Sequence, residues 1–134
     1  MKKLLTLAAV LCAFACHAAF DVTGATPTLL VAPKAIAANA TNTVEFTSAG
    51  RKGIGAVYIA ATSSATNGTI AVTLSTTNSV AGGWTTFAAA TYPTAPTNAV
   101  YTLPVAVEYL SPVNRLSITA TGANTTASAM LLAY

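Results

Sequence analysis

The stretch SSATNGTIAVTLSTTNSVAGGWTTF, residues 63–87, decides the fold. Within it Ile70, Val72 and Leu74 alternate with Thr69, Ala71, Thr73 and Ser75. A period of two describes a β-strand with one face for a core and one for solvent. Asn67-Gly68, just ahead of that strand, has the composition of a type I′ turn, in which both central residues take positive φ. This predicts that residues 54–61 and 69–76 are neighbouring antiparallel strands. Gly82-Gly83 permits a tight approach before Trp84, Thr85, Thr86 and Phe87, a short aromatic strand. No residue of the stretch is charged, and the use of so neutral a surface is the functional question.

Working outward, the same period recurs. Val44 and Phe46 alternate with Glu45 and Thr47, and Val57 and Ile59 share a face while Tyr58 takes the other. Residues 88–98, AAATYPTAPTN, read as a loop punctuated by Pro93 and Pro96, since proline cannot donate to a ladder. Strand character resumes at residues 100–107 around Pro104, which marks an edge or a bulge. Leu116, Ile118 and Ala120 alternate with Arg115, Ser117, Thr119 and Thr121, and residues 127–134 form a closing, largely apolar strand. About seven to nine short strands separated by turns, with no helix, predict a single antiparallel β-sandwich of jelly-roll or related topology.

The chain begins as an exported protein does. Lys2 and Lys3 precede LLTLAAVLCAFA, an apolar segment of signal-peptide length that is too short to span a bilayer. Cleavage after Ala18 assigns residues 1–18 to a signal peptide. Residues 19–42 are then an N-terminal arm or first strand, with Leu29, Leu30 and Val31 between Pro27 and Pro33, and residues 43–134 are the sandwich domain. A cut before Cys16 would allow a lipid anchor there, but bulky Phe14 fits poorly in the small-residue box that lipoprotein processing needs. The expected location is the periplasm, the cell surface or the medium, with no integral membrane span in the mature chain.

Removing residues 1–18 also removes Cys12, Cys16 and His17, the chain's only cysteines and histidine. Lys34, Arg51, Lys52 and Arg115 then face Asp21, Glu45 and Glu108. Four scattered cations make no phosphate track, so nucleic acid is excluded as a partner. Without imidazole or thiol, and with three dispersed carboxylates, the chain lacks the parts of an acid–base pair, an activated nucleophile or a metal site. The expectation is a non-enzymatic protein with no catalytic residue, no metal and no cofactor.

Two functions fit a neutral sandwich. Faces of Thr, Ala and Ser are cheap to desolvate compared with lysine or glutamate, which suits self-association or contact with other structural proteins. In that reading Met130, Leu132 and Tyr134 form a segment able to complete a neighbour's sheet by strand addition. The alternative is a carbohydrate- or surface-binding module, with Tyr92 and Trp84 as stacking residues for a glycan. Tyr92, in the proline loop, is the more exposed choice, whereas Trp84 beside Gly83 reads more readily as a core anchor. Tyr58, Tyr101 and Tyr109 complete the aromatic set. Asn39-Ala-Thr, Asn67-Gly-Thr and Asn124-Thr-Thr match the N-glycosylation pattern.

Residues 53–134 resemble the small β-sandwich structural proteins of tailed phages and prophages, of the virion or capsid-decoration type. The resemblance lies in the order of features: an apolar strand at residues 56–61, a Thr/Gly turn at 66–68, and an alternating strand at 70–78. A Gly83-Trp84-Thr85 segment, an Asn114-Arg-Leu-x-Ile-x-Ala-x-Gly122 strand and turn, and a closing strand follow. It implies a sandwich that works by self-assembly. Virion proteins ordinarily carry no export signal, and a surface or pilus-like subunit would reconcile assembly with export.

Overall fold

A computed structural model describes residues 26–47, 54–78, 83–105 and 113–133. The expected signal peptide with Cys16, residues 48–53, and Glu108, Tyr109 and Tyr134 lie outside the described residues. Eight strands follow one another: β1 (Thr26–Ile36), β2 (Thr41–Thr47), β3 (Ile54–Ser63), β4 (Gly68–Asn78), β5 (Gly83–Thr94), β6 (Ala99–Pro104), β7 (Val113–Thr121) and β8 (Thr125–Ala133). They form two four-stranded sheets, sheet A in the order β1-β8-β3-β6 and sheet B in the order β2-β7-β4-β5. Every ladder is antiparallel. First pairs with last, second with seventh, third with sixth and fourth with fifth, which is the winding of a jelly roll.

Alternation built the core as expected. Val57 and Ile59 of β3, Ile70, Val72 and Leu74 of β4, and Leu116, Ile118 and Ala120 of β7 are fully buried between the sheets. Full burial of each of these larger aliphatic side chains stabilises the fold by about 1.5–3 kcal/mol. Their odd-numbered neighbours on β4 and β7 point away from the core, so sheet B presents Thr69, Ala71, Thr73, Ser117 and Thr119 outward.

The hairpin expected at Asn67-Gly68 does not form. β3 belongs to sheet A and β4 to sheet B, so the chain changes layers at this turn instead of folding back on itself. Among the described residues positive φ occurs at Asn39 (62°) and Gly122 (78°), not at Asn67 or Gly68, so the backbone of a type I′ turn is absent. Gly68 answers to a different requirement. A Cβ there would lie 2.5 Å from Thr94 Oγ1 and 2.9 Å from the Ala123 Cβ, so only glycine lets the turn enter between the sheets.

The turns at this end of the sandwich are tied together. The Ala38 amide donates to Asn124 Oδ1 at 2.9 Å, and the Ser64 amide donates to the Asn124 carbonyl at 2.9 Å. The Ser63 amide donates to the Ala95 carbonyl, also at 2.9 Å. The Gly122 amide donates to Asn39 Oδ1 at 3.5 Å, so Asn39 and Asn124, which open two of the tripeptides matching the N-glycosylation pattern, both tie turns together.

Proline placement follows sheet order. Pro27 and Pro33 lie in β1, Pro93 in β5 and Pro104 in β6, all edge strands. The four central strands contain none. Residues 88–94 are therefore strand rather than loop: Pro93 ends no ladder because, among the described residues, β5 has a neighbour on one side only. For the same reason Leu29, Leu30 and Val31 sit in a strand that runs through both flanking prolines, with register shifts on either side of Val31.

Candidate functional site

The outer face of sheet B carries an aromatic and charged row on a field of hydroxyls. Glu45 of β2 lies opposite Arg115 of β7, Arg115 lies opposite Ser75 of β4, and Ser75 lies opposite Thr86 of β5. Two residues further along β4, Thr77 is opposite Trp84. Same-face neighbours on adjacent strands stand about 5 Å apart, so the row crosses the whole sheet in about 14 Å.

Arg115 holds the row together. Its Nη2 lies 2.6 Å from Glu45 Oε1, and its guanidinium carbon lies 3.8 Å from the centroid of the Trp84 ring. Beneath it Ser75, nearly buried, shares a 3.1 Å hydrogen bond with Thr86. A planar cation over an indole is worth about 0.5–1 kcal/mol at a partly exposed site, and it fixes the ring against rotation. The ion pair itself, with Glu45 half exposed, adds little to stability and serves to orient.

Beyond this row the face is neutral. Thr43 Oγ1 and Ser117 Oγ are 3.2 Å apart, and Thr41 Oγ1 and Thr119 Oγ1 are 2.8 Å apart. Hydroxyls both donate and accept, so such rows match a polyhydroxylated ligand without selecting for charge.

The structure separates the two expected stacking residues. Trp84 is half-buried on the outer face and packs outside the core cluster, so the core-anchor reading gives way. Tyr92 lies in β5 opposite Ile70, packs against the core, and stacks on Tyr101 of β6 with ring centroids 4.6 Å apart and planes 15° from parallel. Its hydroxyl donates to the Thr102 carbonyl at 2.8 Å, the Tyr101 hydroxyl donates to the Pro93 carbonyl, and burial raises the Tyr92 hydroxyl above its ordinary value of 10.0. The tyrosine pair closes one side of the sandwich, from β5 of sheet B to β6 of sheet A. Tyr58 lies opposite Met130 on the outer face of sheet A, so Trp84, Tyr92, Tyr101 and Tyr58 do not assemble into one platform.

Met130 and Leu132 lie in β8, which pairs with β1 on one side and β3 on the other. A strand filled on both sides from within its own chain has no open ladder to offer a neighbour. The same two residues do point outward and are partly exposed, whereas Ala127, Ala129 and Leu131 are buried.

In the sequence Arg115 and Glu45 are only scattered charges. Each occupies an outward position of an alternating strand, but their meeting depends on the β2·β7 ladder, which joins segments far apart in the chain. Among the described residues no group of three or more His, Cys, Asp or Glu side chains lies together, and no helix is long and apolar enough to cross a membrane.

No family model and no curated protein matches the chain. Solved structures share its architecture. It is similar to a carbohydrate-binding module from the family 9 glycoside hydrolase Cel9A of Ruminococcus flavefaciens FD-1, with 13% identity and a TM-score of 0.55 over 80% of this chain and 96% of that one. It is also similar to CBM29_1, a family 29 carbohydrate-binding module from Piromyces equi, with 8% identity and a TM-score of 0.55 over 83% and 91% of the two chains. The PBSX exported protein XepA aligns at 13% identity and a TM-score of 0.54, over 81% of this chain and 36% of that protein. Identities this low speak to a common β-sandwich.

Proposed function

We propose that this chain is a non-catalytic, exported carbohydrate-binding module whose ligand lies across the outer face of sheet B. The observation that carries the reading is Trp84, the only tryptophan, standing outside the core and braced by the Arg115 guanidinium that Glu45 holds in place. The Arg115 guanidinium covers part of this half-buried indole, and the rest of its large apolar surface is open to a ligand. The C–H faces of pyranose rings fit such a surface, and Thr and Ser hydroxyls beside it supply hydrogen bonds to sugar hydroxyls. Likeness of fold to several carbohydrate-binding modules favours the same reading.

The ligand class follows from charge. Glu45 already pairs with Arg115, so the row is neutral as a unit and favours a neutral glycan over a uronate or sulfated one. Binding is then nearly insensitive to salt, because no long-range attraction steers it. The sole tryptophan makes the test site-specific: indole fluorescence is followed while neutral glucans, xylans and mannans are titrated into the purified chain. A saturable spectral shift is expected, with Trp84→Ala weakening binding by tenfold or more in a pull-down on the same polysaccharide. A folded chain that binds nothing on a broad glycan array, or Trp84→Ala binding as tightly as the parent, would sink the reading.

A structural or assembly role, as a virion-like or pilus-like subunit, is the second reading. A single feature favours it, the unguarded edge of sheet B.

A further inference from the structure

The four edge strands are not equally protected. β1 carries Pro27 and Pro33 and two irregularities of register. β5 carries Pro93 and a register shift, and β6 is six residues long and carries Pro104. These are the means by which natural sheets prevent another strand from pairing with them. β2 has none of these within itself, and Lys34 of β1, a cation beside it, is turned to the Asn42 side chain at 2.6 Å. The seven residues of β2, TNTVEFT, pair with β7 in unbroken register, contain no proline, and have no second ladder partner among the described residues. Alternate N–H and C=O groups of such a strand point away from its sheet. The one charge on it, Glu45, is paired with Arg115 within its own copy, which weakens its field on an incoming strand without removing it.

We propose that β2 is a dimerisation edge, occupied by β2 of a second copy of this chain in antiparallel register about a twofold axis through Val44. The strand is self-complementary in that register. Val44 faces its own counterpart, Asn42 faces Phe46 of the second copy, Thr41 faces Thr47, and Thr43 faces Glu45. No like charges meet. Val44 and Phe46, packed against the core yet half exposed, gain cover from the same residues of the other copy. A shallow groove of about 350 Å³ beside the strand, lined by Leu30, Val31, Pro33 and Val44 together with Lys34 and Asn42, lies next to the join. The two sheets B become one eight-stranded sheet, and the outer faces with Trp84 become continuous. This inference does not depend on glycan binding.

Position 43 tests it, because Thr43 is exposed and its hydroxyl lies on the outer face, 3.2 Å from Ser117 Oγ. The dissociation constant is measured by sedimentation over a concentration series, with circular dichroism to check folding. Thr43→Glu sets two like-charge pairs, one on each side of the axis, against Glu45 of the other copy, and weakens the dimer about tenfold. Thr43→Lys creates two attractive pairs and tightens it several-fold at low salt, an effect lost at high salt. A purely local disturbance at position 43 moves both variants the same way. A wild-type chain that remains monomeric at millimolar concentration, including one that binds a foreign peptide strand instead, overturns the proposal. So does a dimer indifferent to both substitutions.

Discussion

The two halves of β5 carry the two aromatic side chains that sequence proposed for one ligand, and they do opposite things. Trp84 and Tyr92 are an even number of residues apart, so an unbroken strand would point both the same way. Trp84 instead faces outward over sheet B, and Tyr92 faces inward against the core. The cause is a register shift: Leu74 lies opposite Ala88, but Ser75 lies opposite Thr86, leaving Phe87 as an extra residue. The β-bulge inverts the parity of everything after it. Consecutive half-buried positions at Phe87 and Ala88 mark the place where alternation breaks. One residue thus divides the strand into an outward half, which carries the proposed binding residue Trp84, and an inward half that closes the sandwich through the Tyr92–Tyr101 stack.

Deleting Phe87 attacks that division directly and carries the largest expected effect. Without the extra residue one half must turn over, sending Trp84 into a core already packed or Tyr92 out of it. Either way more than about 3 kcal/mol of stability is lost, seen in urea denaturation as a large fall in midpoint or as loss of a cooperative transition. A deletion variant of near-parental stability would mean that the bulge is not what sets the two halves apart.

Tyr92→Ala separates the halves more gently. Removing a half-buried ring, its stack on Tyr101 and its bond to Thr102 costs about 2 kcal/mol, while the glycan affinity of the folded protein stays within twofold of the parent. Trp84→Ala has the reverse signature, a stability change within about 1 kcal/mol and a loss of binding. If Tyr92→Ala abolished binding at unchanged stability, the assignment of roles along β5 would be inverted.

The pattern shows which parts of the molecule were open to local reading. The core was legible because Ile70, Val72, Leu74, Leu116 and Ile118 lie in strands whose alternation is unbroken, and a period of two needs no partner to be recognised. The parity of Tyr92 was not, because the bulge arises from pairing with β4 and leaves no dipeptide of its own. Asn67-Gly68 has the composition of a hairpin turn, yet the chain changes sheets there, since packing of Gly68 against Thr94 and Ala123 overrides local turn preference. Pro93 reads as a loop breaker only while sheet order is unknown; on an edge it is tolerated. Arg115 and Glu45 were hidden for a similar reason, as their contact exists only once β2 pairs with β7.

The smallest expected effect tests how firmly the inward half is held. Tyr92→Phe keeps the ring and the stack but removes the 2.8 Å bond to the Thr102 carbonyl, an exposed contact, so the loss is at most about 1 kcal/mol at neutral pH. The pH dependence is the sharper readout. Burial raises the Tyr92 hydroxyl above the value of 10.0 that it has when unfolded, favouring the neutral phenol in the folded chain. Below pH 10 both states are protonated, and the contribution is fully present. As pH rises past 10 the unfolded chain releases this proton first, so stability falls until the folded hydroxyl also titrates. Stability measured from pH 8 to pH 11.5 should therefore decline less steeply for Tyr92→Phe than for the parent, while Trp84→Phe leaves the decline unchanged. Identical alkaline limbs for Tyr92→Phe and the parent would show that Tyr92 is as open to water as the outward half of its strand, and the distinction between the halves would fail at its inward end.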